Sequence, residues 1–288
     1  MRIAATAYHC ERLSGWVAHE TKMDDLLRAA AADLVVLPEY AAMEAALMAG
    51  PATLSEIGWR DLAAERAGAW VDQAVHVAAL HGCWLLAGSG PVETDRGVVN
   101  RAWLVGPEGQ VAHQDKLILT PYEREVMDMV PGEDLRLFET PLGRVGVLIC
   151  YDSEFPLLAR ALVEAGADAI LVPSCTDLPQ GQTRVRVSAR ARAVEGQCLV
   201  VQSPLVGRVE GCELLEVSTG RAALFVPPDL GQPADGILAQ GKTDVPGAVV
   251  AEVDLAAIAR VRTEGQVGNA AHWPEQARIL RVERVVPG

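Results

Sequence analysis

The sequence predicts an α/β protein: a mixed sheet, or two packed sheets, with helices on the outside. Three observations carry that prediction. Short apolar runs of strand length alternate with helical patterns along the chain. Two of those runs are followed, across a short turn, by a further run, and such hairpins have no place in a purely parallel doubly wound sheet. No Ser/Gly-rich linker and no internal repeat divides the 288 residues, half of them hydrophobic, so one domain is expected over 1–288, with a less regular tail from about residue 263.

The elements follow in order. Residues 3–8 form the first strand. Residues 23–32 are alanine-rich, with Leu26, Leu27 and Ala30 on one stripe, and read as a helix. Residues 34–37 are a short buried strand ended by Pro38, which leaves Glu39 and Tyr40 at its carboxyl end. A helical pattern over 59–81 closes at Gly82. Residues 83–87 are another buried strand, stopped by Gly88-Ser89-Gly90-Pro91. Residues 98–105 and 110–116 flank a Gly-Pro-Glu-Gly turn as a hairpin. The segment 117–131 lacks a clean period and is expected to wrap over the surface. Residues 135–140 and 144–149, joined by a turn at 141–143, make a second strand pair. Residues 169–173 form a strand, 183–195 a helix and 199–202 a strand. Residues 222–226 and 248–253 are expected as edge strands, 255–261 as a helix, and the tail beyond, with Trp273, as irregular.

Composition narrows the function. Lys and Arg number 25 against 38 Asp and Glu, a net charge of −13, which argues against a nucleic-acid surface. The amino-terminal apolar run is too short for a signal peptide, and no stretch approaches the roughly eighteen apolar residues of a membrane span, so the cytoplasm is the expected compartment. The six cysteines are scattered with no C-x-x-C, and the six histidines form no H-E-x-x-H, so a metal-free chain with reduced thiols is expected. The glycines of Gly88-Ser89-Gly90 do not complete a dinucleotide fingerprint.

The stretch 144–160 holds the most chemistry. An apolar, β-branched run from Val145 to Ile149 is a buried strand, and Cys150 stands where it stops. Asp152, Ser153 and Glu154 follow, and Pro156 suits the first turn of a helix that ends near Gly166. A thiol on such a turn is rigid and close to free backbone N–H groups. The plainer alternative is a small core hydrophobe. Glu39 also lies at the carboxyl end of a buried strand, where such ends converge in open α/β sheets. Desolvated there, it is a candidate general base for the thiol; otherwise it is a carboxylate at a helix start. Lys116 ends the second hairpin strand. Buried, it would stabilise an oxyanion or a thiolate; exposed, it is an ordinary strand-end lysine. Glu123, seven residues on, is a candidate to hold Lys116 or a substrate amine, or is a solvated loop charge.

Taken together, three pieces resemble the nitrilase superfamily of carbon–nitrogen hydrolases. They are Leu37-Pro38-Glu39, Asp115-Lys116 followed by Thr120-Pro121-Tyr122-Glu123, and Ile149-Cys150-Tyr151-Asp152-Ser153-Glu154-Phe155-Pro156. Their order, spacing and context agree, and the joint match is far more specific than any one piece. The resemblance continues at Val172-Pro173-Ser174 and at Ala191-Arg192-Ala193-Val194-Glu195 and covers roughly residues 1–260. It implies a four-layer α-β-β-α sandwich with mixed sheets, commonly paired across a dimer interface, so a homodimer or higher homo-oligomer is expected. It implies a Glu–Lys–Cys catalytic set carried onto Glu39, Lys116 and Cys150, with Glu123 as a second glutamate near the site, the backbone N–H of Tyr151 sharing the oxyanion with Lys116, and no metal or organic cofactor. The segment after the nucleophile is more like the amidase and carbamoylase branches than the nitrile-hydrolysing members, which carry Cys-Trp-Glu.

The expected function is therefore a thiol-dependent amidohydrolase that cleaves a non-peptide C–N bond of a small linear amide or N-carbamoyl compound through a cysteine thioester. Nitrile hydrolysis, acyl transfer and a catalytically silent scaffold are the rivals. Tyr122 and Tyr151 are candidates to line the pocket, as is Cys175, which follows the strand at 169–173. Among Arg184, Arg186, Arg190 and Arg192, one is a candidate to bind a substrate carboxylate, as in the N-carbamoyl amino acid hydrolases of that family; surface or interface ion pairs are the alternative.

Overall fold

The computed structural model describes residues 1–279 and 282–286. Along the chain its elements are β1 (Arg2–Ala7), α1 (Trp16–Ala30), β2 (Leu34–Val36), α2 (Met43–Ala49), α3 (Glu56–His81), β3 (Trp84–Thr94), β4 (Gly97–Val105), β5 (Val111–Asp115), α4 (Pro121–Glu125), β6 (Leu137–Thr140) and β7 (Gly143–Val147). After a 3-10 turn at Cys150–Glu154 come α5 (Pro156–Glu164), β8 (Ala169–Ser174), α6 (Pro179–Gly196), β9 (Leu199–Pro204), α7 (Glu213–Glu216), β10 (Ala223–Phe225), β11 (Ile237–Gln240), β12 (Gly247–Glu252), α8 (Leu255–Glu264), α9 (Asn269–His272) and a 3-10 segment, Trp273–Ile279.

Among these residues the strands form two six-stranded sheets, ordered β12-β1-β2-β3-β4-β5 and β11-β10-β9-β8-β7-β6. Both are mixed. Strands β1, β2 and β3 are parallel, and so are β7, β8 and β9, whereas the hairpins β3-β4-β5 and β6-β7 and the flanking strands pair antiparallel. The two-residue period of the strands produces the layers. In the first sheet Ile3, Ala5, Val36, Leu86 and Leu104 join one core with the second sheet and with Ala159, Leu162, Val185 and Ala189 of α5 and α6. Their alternates Ala4, Val35, Leu85 and Trp103 join the other core with Met23 and Leu27 of α1 and Trp59, Trp70 and Val77 of α3. The result is the helix–sheet–sheet–helix order that the resemblance implies.

Several elements differ from expectation for identifiable reasons. Gly88-Ser89-Gly90-Pro91 does not stop a strand; β3 runs through it to Thr94 with a register shift between Leu86 and Ser89. The glycines serve close approach instead. A Cβ on Gly88, whose φ is +71°, would lie 2.3 Å from the Pro38 carbonyl oxygen, and one on Gly90 would lie 2.7 Å from Ala42 Cβ. Strand β3 can thus pass beneath the turn that carries Glu39. Residues 117–131 do not wrap over the surface: α4 forms there, and Leu119, Glu123, Met127 and Met129 are buried. Strand β10 is internal, because β11, whose Ile237-Leu238-Ala239 run is short and half-buried, pairs on its far side. Helix α1 begins seven residues before the stretch expected, at Trp16, and the tail expected to be irregular carries α9 and the 3-10 segment.

Candidate active site

Three elements deliver the central side chains from the same edge of the fold. Glu39 follows β2. Lys116 follows β5, which pairs antiparallel to β4 as β4 does to β3 and so runs in the direction of β3. Cys150 follows β7 and opens the 3-10 turn with φ +49°, a left-handed conformation that a residue with a Cβ rarely adopts. The turn is held from two sides. Ser153 Oγ donates to the Cys150 carbonyl at 2.6 Å, and the Asp152 carboxylate accepts the backbone N–H groups of Ile118 at 2.8 Å and of Leu117 and Ile149 at 3.2 Å. Asp152 thereby ties the thiol-bearing turn to the chain immediately after Lys116.

Lys116, 1% exposed, lies between two carboxylates that are as buried as it is. Its Nζ is 2.7 Å from Glu39 Oε1 and 2.7 Å from Glu123 Oε2. Glu123 is saturated with donors: Oε2 also accepts from Thr120 N at 2.8 Å and Thr120 Oγ1 at 2.9 Å, as part of a capping box on α4, and Oε1 accepts from Tyr40 Oη at 2.7 Å. Asn100 Nδ2 donates to Glu39 Oε1 and to Glu123 Oε1, each at 3.1 Å. Glu39 Oε2 accepts the backbone N–H of Cys175 at 2.9 Å. The Cys150 thiol points at the Cys175 carbonyl at 3.6 Å and lies near enough to the Glu39 carboxylate for each to shift the other's ionisation.

Burial and charge push these groups in different directions. Burial raises Glu39 above its ordinary value; Lys116 opposes this and Glu123 adds to it. Burial acts on Glu123 in the same sense, but Lys116 and the donors around it prevail and hold it low. Burial works against the charge on Lys116, yet Glu123, Glu39 and Cys150 keep it protonated well above the usual range. Burial and Glu39 raise the Cys150 thiol well above the free value, with Lys116 opposing. Burial raises Asp152 to about 7 against the pull of Lys116 and three backbone N–H groups. The arrangement is one fixed anion, one fixed cation, one basic carboxylate and a thiol whose proton can leave only to a neighbouring acceptor.

A cavity of about 720 Å³ opens onto this cluster. Glu39, Lys116, Glu123, Cys150, Tyr151, Tyr122 and Cys175, the residues singled out from the sequence, all line it. Arg184 lines it too, with Nε 3.3 Å from Glu154 Oε1. The other three arginines are engaged elsewhere: Arg186 with Gln240, Arg190 with the Asp235 carbonyl, Arg192 with Glu195 and the Ser153 carbonyl. Sequence reading missed Asn100, Tyr40 and Asp152. Signals existed for each: a buried-strand asparagine within Val98-Val99-Asn100, a tyrosine directly after Pro38-Glu39, and an aspartate two residues past the thiol. The backbone signal at Tyr40, φ +60°, is visible only in the structure. Among the described residues no group of three or more His, Cys, Asp or Glu side chains is arranged to hold a metal ion, and no helix is long and apolar enough to cross a membrane.

Comparison with known proteins places the chain. The family model described as carbon-nitrogen hydrolase matches residues 4–263. Curated relatives include a probable hydrolase, YhcX, of Bacillus subtilis (strain 168), 36% identical over 183 residues that make up 64% of this chain and 36% of that protein. Another is the deaminated glutathione amidase of Yersinia enterocolitica, 33% identical over 144 residues, 46% of this chain and 50% of that one. The chain thus spans between about a third and a half of the length of these two relatives. Saccharomyces cerevisiae Nit3, a member of branch 10 of the nitrilase superfamily, superposes with TM-score 0.68 at 22% identity, covering 91% of this chain and 93% of that one. A double mutant of the amidase from Nesterenkonia sp. AN1 in complex with acrylamide superposes with TM-score 0.65 at 23% identity, covering 91% and 94%. The fold is that of nitrilase-superfamily structures, and the chain belongs to the carbon–nitrogen hydrolase family.

Proposed function

We propose that this carbon–nitrogen hydrolase family member is a thiol amidohydrolase that cleaves the C–N bond of a small linear amide or N-carbamoyl compound. The observation that carries the reading is the Lys116 ammonium, 2.7 Å from both Glu39 and Glu123, on the wall of the cavity that also holds the Cys150 thiol. Two of its three ammonium protons are committed to the glutamates, and the third is left for a substrate oxygen.

In the first half-reaction Glu39 takes the thiol proton as Cys150 sulfur adds to the amide carbonyl carbon. Lys116 and the backbone N–H of Tyr151 receive the negative oxygen. As the C–N bond breaks, Glu39 gives its proton to the departing nitrogen, and ammonia or an amine leaves an acyl thioester on Cys150. In the second half-reaction Glu39 removes a proton from water, the hydroxide adds to the thioester carbon, and the carbon–sulfur bond breaks to return the thiol and the acid. Glu123 takes no proton in this scheme; it holds Lys116 in place.

The relatives named as a deaminated glutathione amidase, and as an omega-amidase in Danio rerio, support an amide over a nitrile as the substrate. A homodimer or higher homo-oligomer remains part of the proposal and is measured by sedimentation velocity. The test of the activity is ammonia release across small amides, N-carbamoyl compounds and nitriles, with and without hydroxylamine, using the wild-type chain and Cys150→Ala. Release from one class, lost in the variant, with a hydroxamate formed when hydroxylamine intercepts the thioester, is the expected result. Silence across the panel, with Cys150 no faster to alkylate than the other five cysteines, would leave a scaffold without turnover.

A further inference from the structure

Asn100 sits in the apolar middle of β4 and is fully buried. Its Nδ2 lies 3.1 Å from Glu39 Oε1 and 3.1 Å from Glu123 Oε1, so each of its two amide protons goes to a different carboxylate. The flipped amide would turn a carbonyl oxygen onto two anions, which fixes the orientation. In that orientation Oδ1 has no hydrogen-bond partner among the described residues. A buried acceptor left unpaired is unfavourable, and here the two donor contacts outweigh it.

Two carboxylates brought this close ordinarily share a proton, because both cannot ionise side by side. Between Glu39 and Glu123 only donors stand: Lys116 Nζ and Asn100 Nδ2. We propose that Asn100 is a positioning residue of this site: by giving one amide proton to each glutamate it keeps them from sharing a proton and confines the free basic lone pair of Glu39 to Oε2, the oxygen that accepts from Cys175, whose carbonyl the Cys150 thiol meets. The inference rests on the reading of Glu39 as the base.

The hydrogen-bond inventory of Glu39 supports this. Oε1 already accepts from Lys116 and Asn100, so a proton arriving there would have to expel a donor. Oε2 accepts only the Cys175 N–H, which leaves one direction open. The other groups acting on Glu39 are Lys116, Glu123, Cys150, Cys175 and Tyr40, and Asp152 acts on Lys116 in turn. A cation in place of Asn100 would make Glu39 too weak a base for a buried thiol, and a carboxylate there would bring back the shared proton. A neutral amide with two donors avoids both. The main chain of Asn100 also accepts the Lys116 N–H, at 2.8 Å, a contact that substitution of the side chain leaves in place.

The test is a carbon-13 NMR titration of the Glu39 carboxyl in the full chain, with the resonance assigned by its loss in Glu39→Gln. It is run on wild type, Asn100→Ala, Asn100→Asp, Glu123→Gln and the Asn100→Ala/Glu123→Gln double variant. In Asn100→Ala the Glu39 midpoint should rise by about one unit, and in Asn100→Asp by more, with iodoacetamide alkylation of Cys150 near neutral pH slowed about 10- to 100-fold. With Glu123 neutralised, removing Asn100 should move Glu39 by less than half as much, since no second anion remains to share the proton. A purely structural asparagine would not give that dependence on Glu123. Should Asn100→Asp fail to fold, Asn100→Ala and the double variant carry the test. A midpoint unmoved in Asn100→Ala, or moved equally with and without Glu123, overturns the proposal. Because the readout is the carboxyl itself, a wild type that turns over no amide while showing these shifts would count against the amidohydrolase reading alone.

Discussion

Two lysine–glutamate clusters, each built on a buried glutamate, lie in the same half of this molecule, and only one of them has the makings of an active site. Around Glu44 of α2, which is fully buried, Lys22 Nζ donates at 2.6 Å, the backbone N–H of Glu11 donates at 2.7 Å, the Tyr8 hydroxyl donates to Oε2, and His19 Nε2 lies 3.6 Å away. Around Lys116 the same residue types recur: a lysine, glutamates and a tyrosine. The difference lies in what is left over. Both oxygens of Glu44 are taken by neighbours, and neither Glu44 nor Lys22 lines the nearby cavity formed by His9, Arg12 and Arg208. At the other cluster Glu123 is saturated in the same way, but Glu39 keeps one open direction and Lys116 one free proton, and both face a cavity with a thiol. A buried ion pair is in itself a structural device. It gains chemical potential where its saturated members leave one unsaturated atom pointing at a space a substrate can enter.

The contrast is broken or sharpened by substitution. The largest effect is expected at Cys150→Ala, with ammonia release down by about 10³-fold or more and unfolding by urea little changed, since the site loses its proposed nucleophile and no charge is stranded. Lys116→Met should abolish turnover as well, and also lower stability by about 3–5 kcal/mol, because two buried carboxylates lose their common cation; urea midpoints separate this outcome from the first. Glu44→Gln should show the reverse pattern. Stability falls by about 1–2 kcal/mol as Glu44 loses its charge-assisted bond to Lys22, which keeps Glu11 at 2.9 Å, while kcat/KM stays within about tenfold of wild type. If Glu44→Gln instead silenced turnover in a folded protein, the two clusters would have to be treated as one.

The pH dependences also diverge. In the proposed scheme Glu39 must be ionised to act, and its raised pKa places the expected acid limb of kcat/KM above the ordinary carboxylate range, so activity should fall on acidification earlier than a free glutamate would dictate; the limb should vanish in Glu39→Gln. His19 bears on stability instead. Burial, with Lys22, lowers it from 6.5 to about 4 in the folded chain. Between those values the unfolded chain binds more protons at His19, so the His19 contribution to stability rises with pH from about 4 to 6.5 and is lost on acidification, by up to about 3 kcal/mol, while Asp152, raised to about 7, contributes with the opposite sign. The gap in urea midpoint between wild type and His19→Phe should therefore change across that window, with wild type losing ground as the pH falls. The smallest effect is expected at Cys175→Ala, below about tenfold in kcat/KM, because Cys175 meets Glu39 and Cys150 through its backbone N–H and carbonyl, which any residue supplies.

The candidate site was legible where local chemistry marked it. Cys150 at the end of a β-branched run, Glu39 after Leu37-Pro38 and Lys116 at a hairpin's end are placed by turn residues and apolar runs within a few positions of each. Glycines misled at 88–90 because a glycine that ends a strand and a glycine that lets another chain pass within van der Waals distance look alike in sequence; only the Pro38 carbonyl, some fifty residues away in the chain, tells them apart. The segment 117–131 misled for a related reason. Met127 and Met129 meet Tyr40 and, with Leu119, join the core beside α1 and α3 from an irregular stretch rather than from one side of a regular element, so no period reveals them.

The amino-acid sequence by itself determined the alternation of strands and helices, the two hairpins, and the delivery of a carboxylate, an ammonium and a thiol to strand ends, because each depends on periodicity and turn chemistry within about ten residues. Only the tertiary structure decided which carboxylate burial raises and which is held low, which oxygen of Glu39 meets Cys175, and that Asn100 stands between the glutamates. Those outcomes depend on hydrogen bonds between residues 61 and 136 positions apart, Asn100 and Cys175 with Glu39, and on the loss of water around them. Neither leaves a local pattern in the chain, since burial and partner geometry exist only once the sheets have closed on one another.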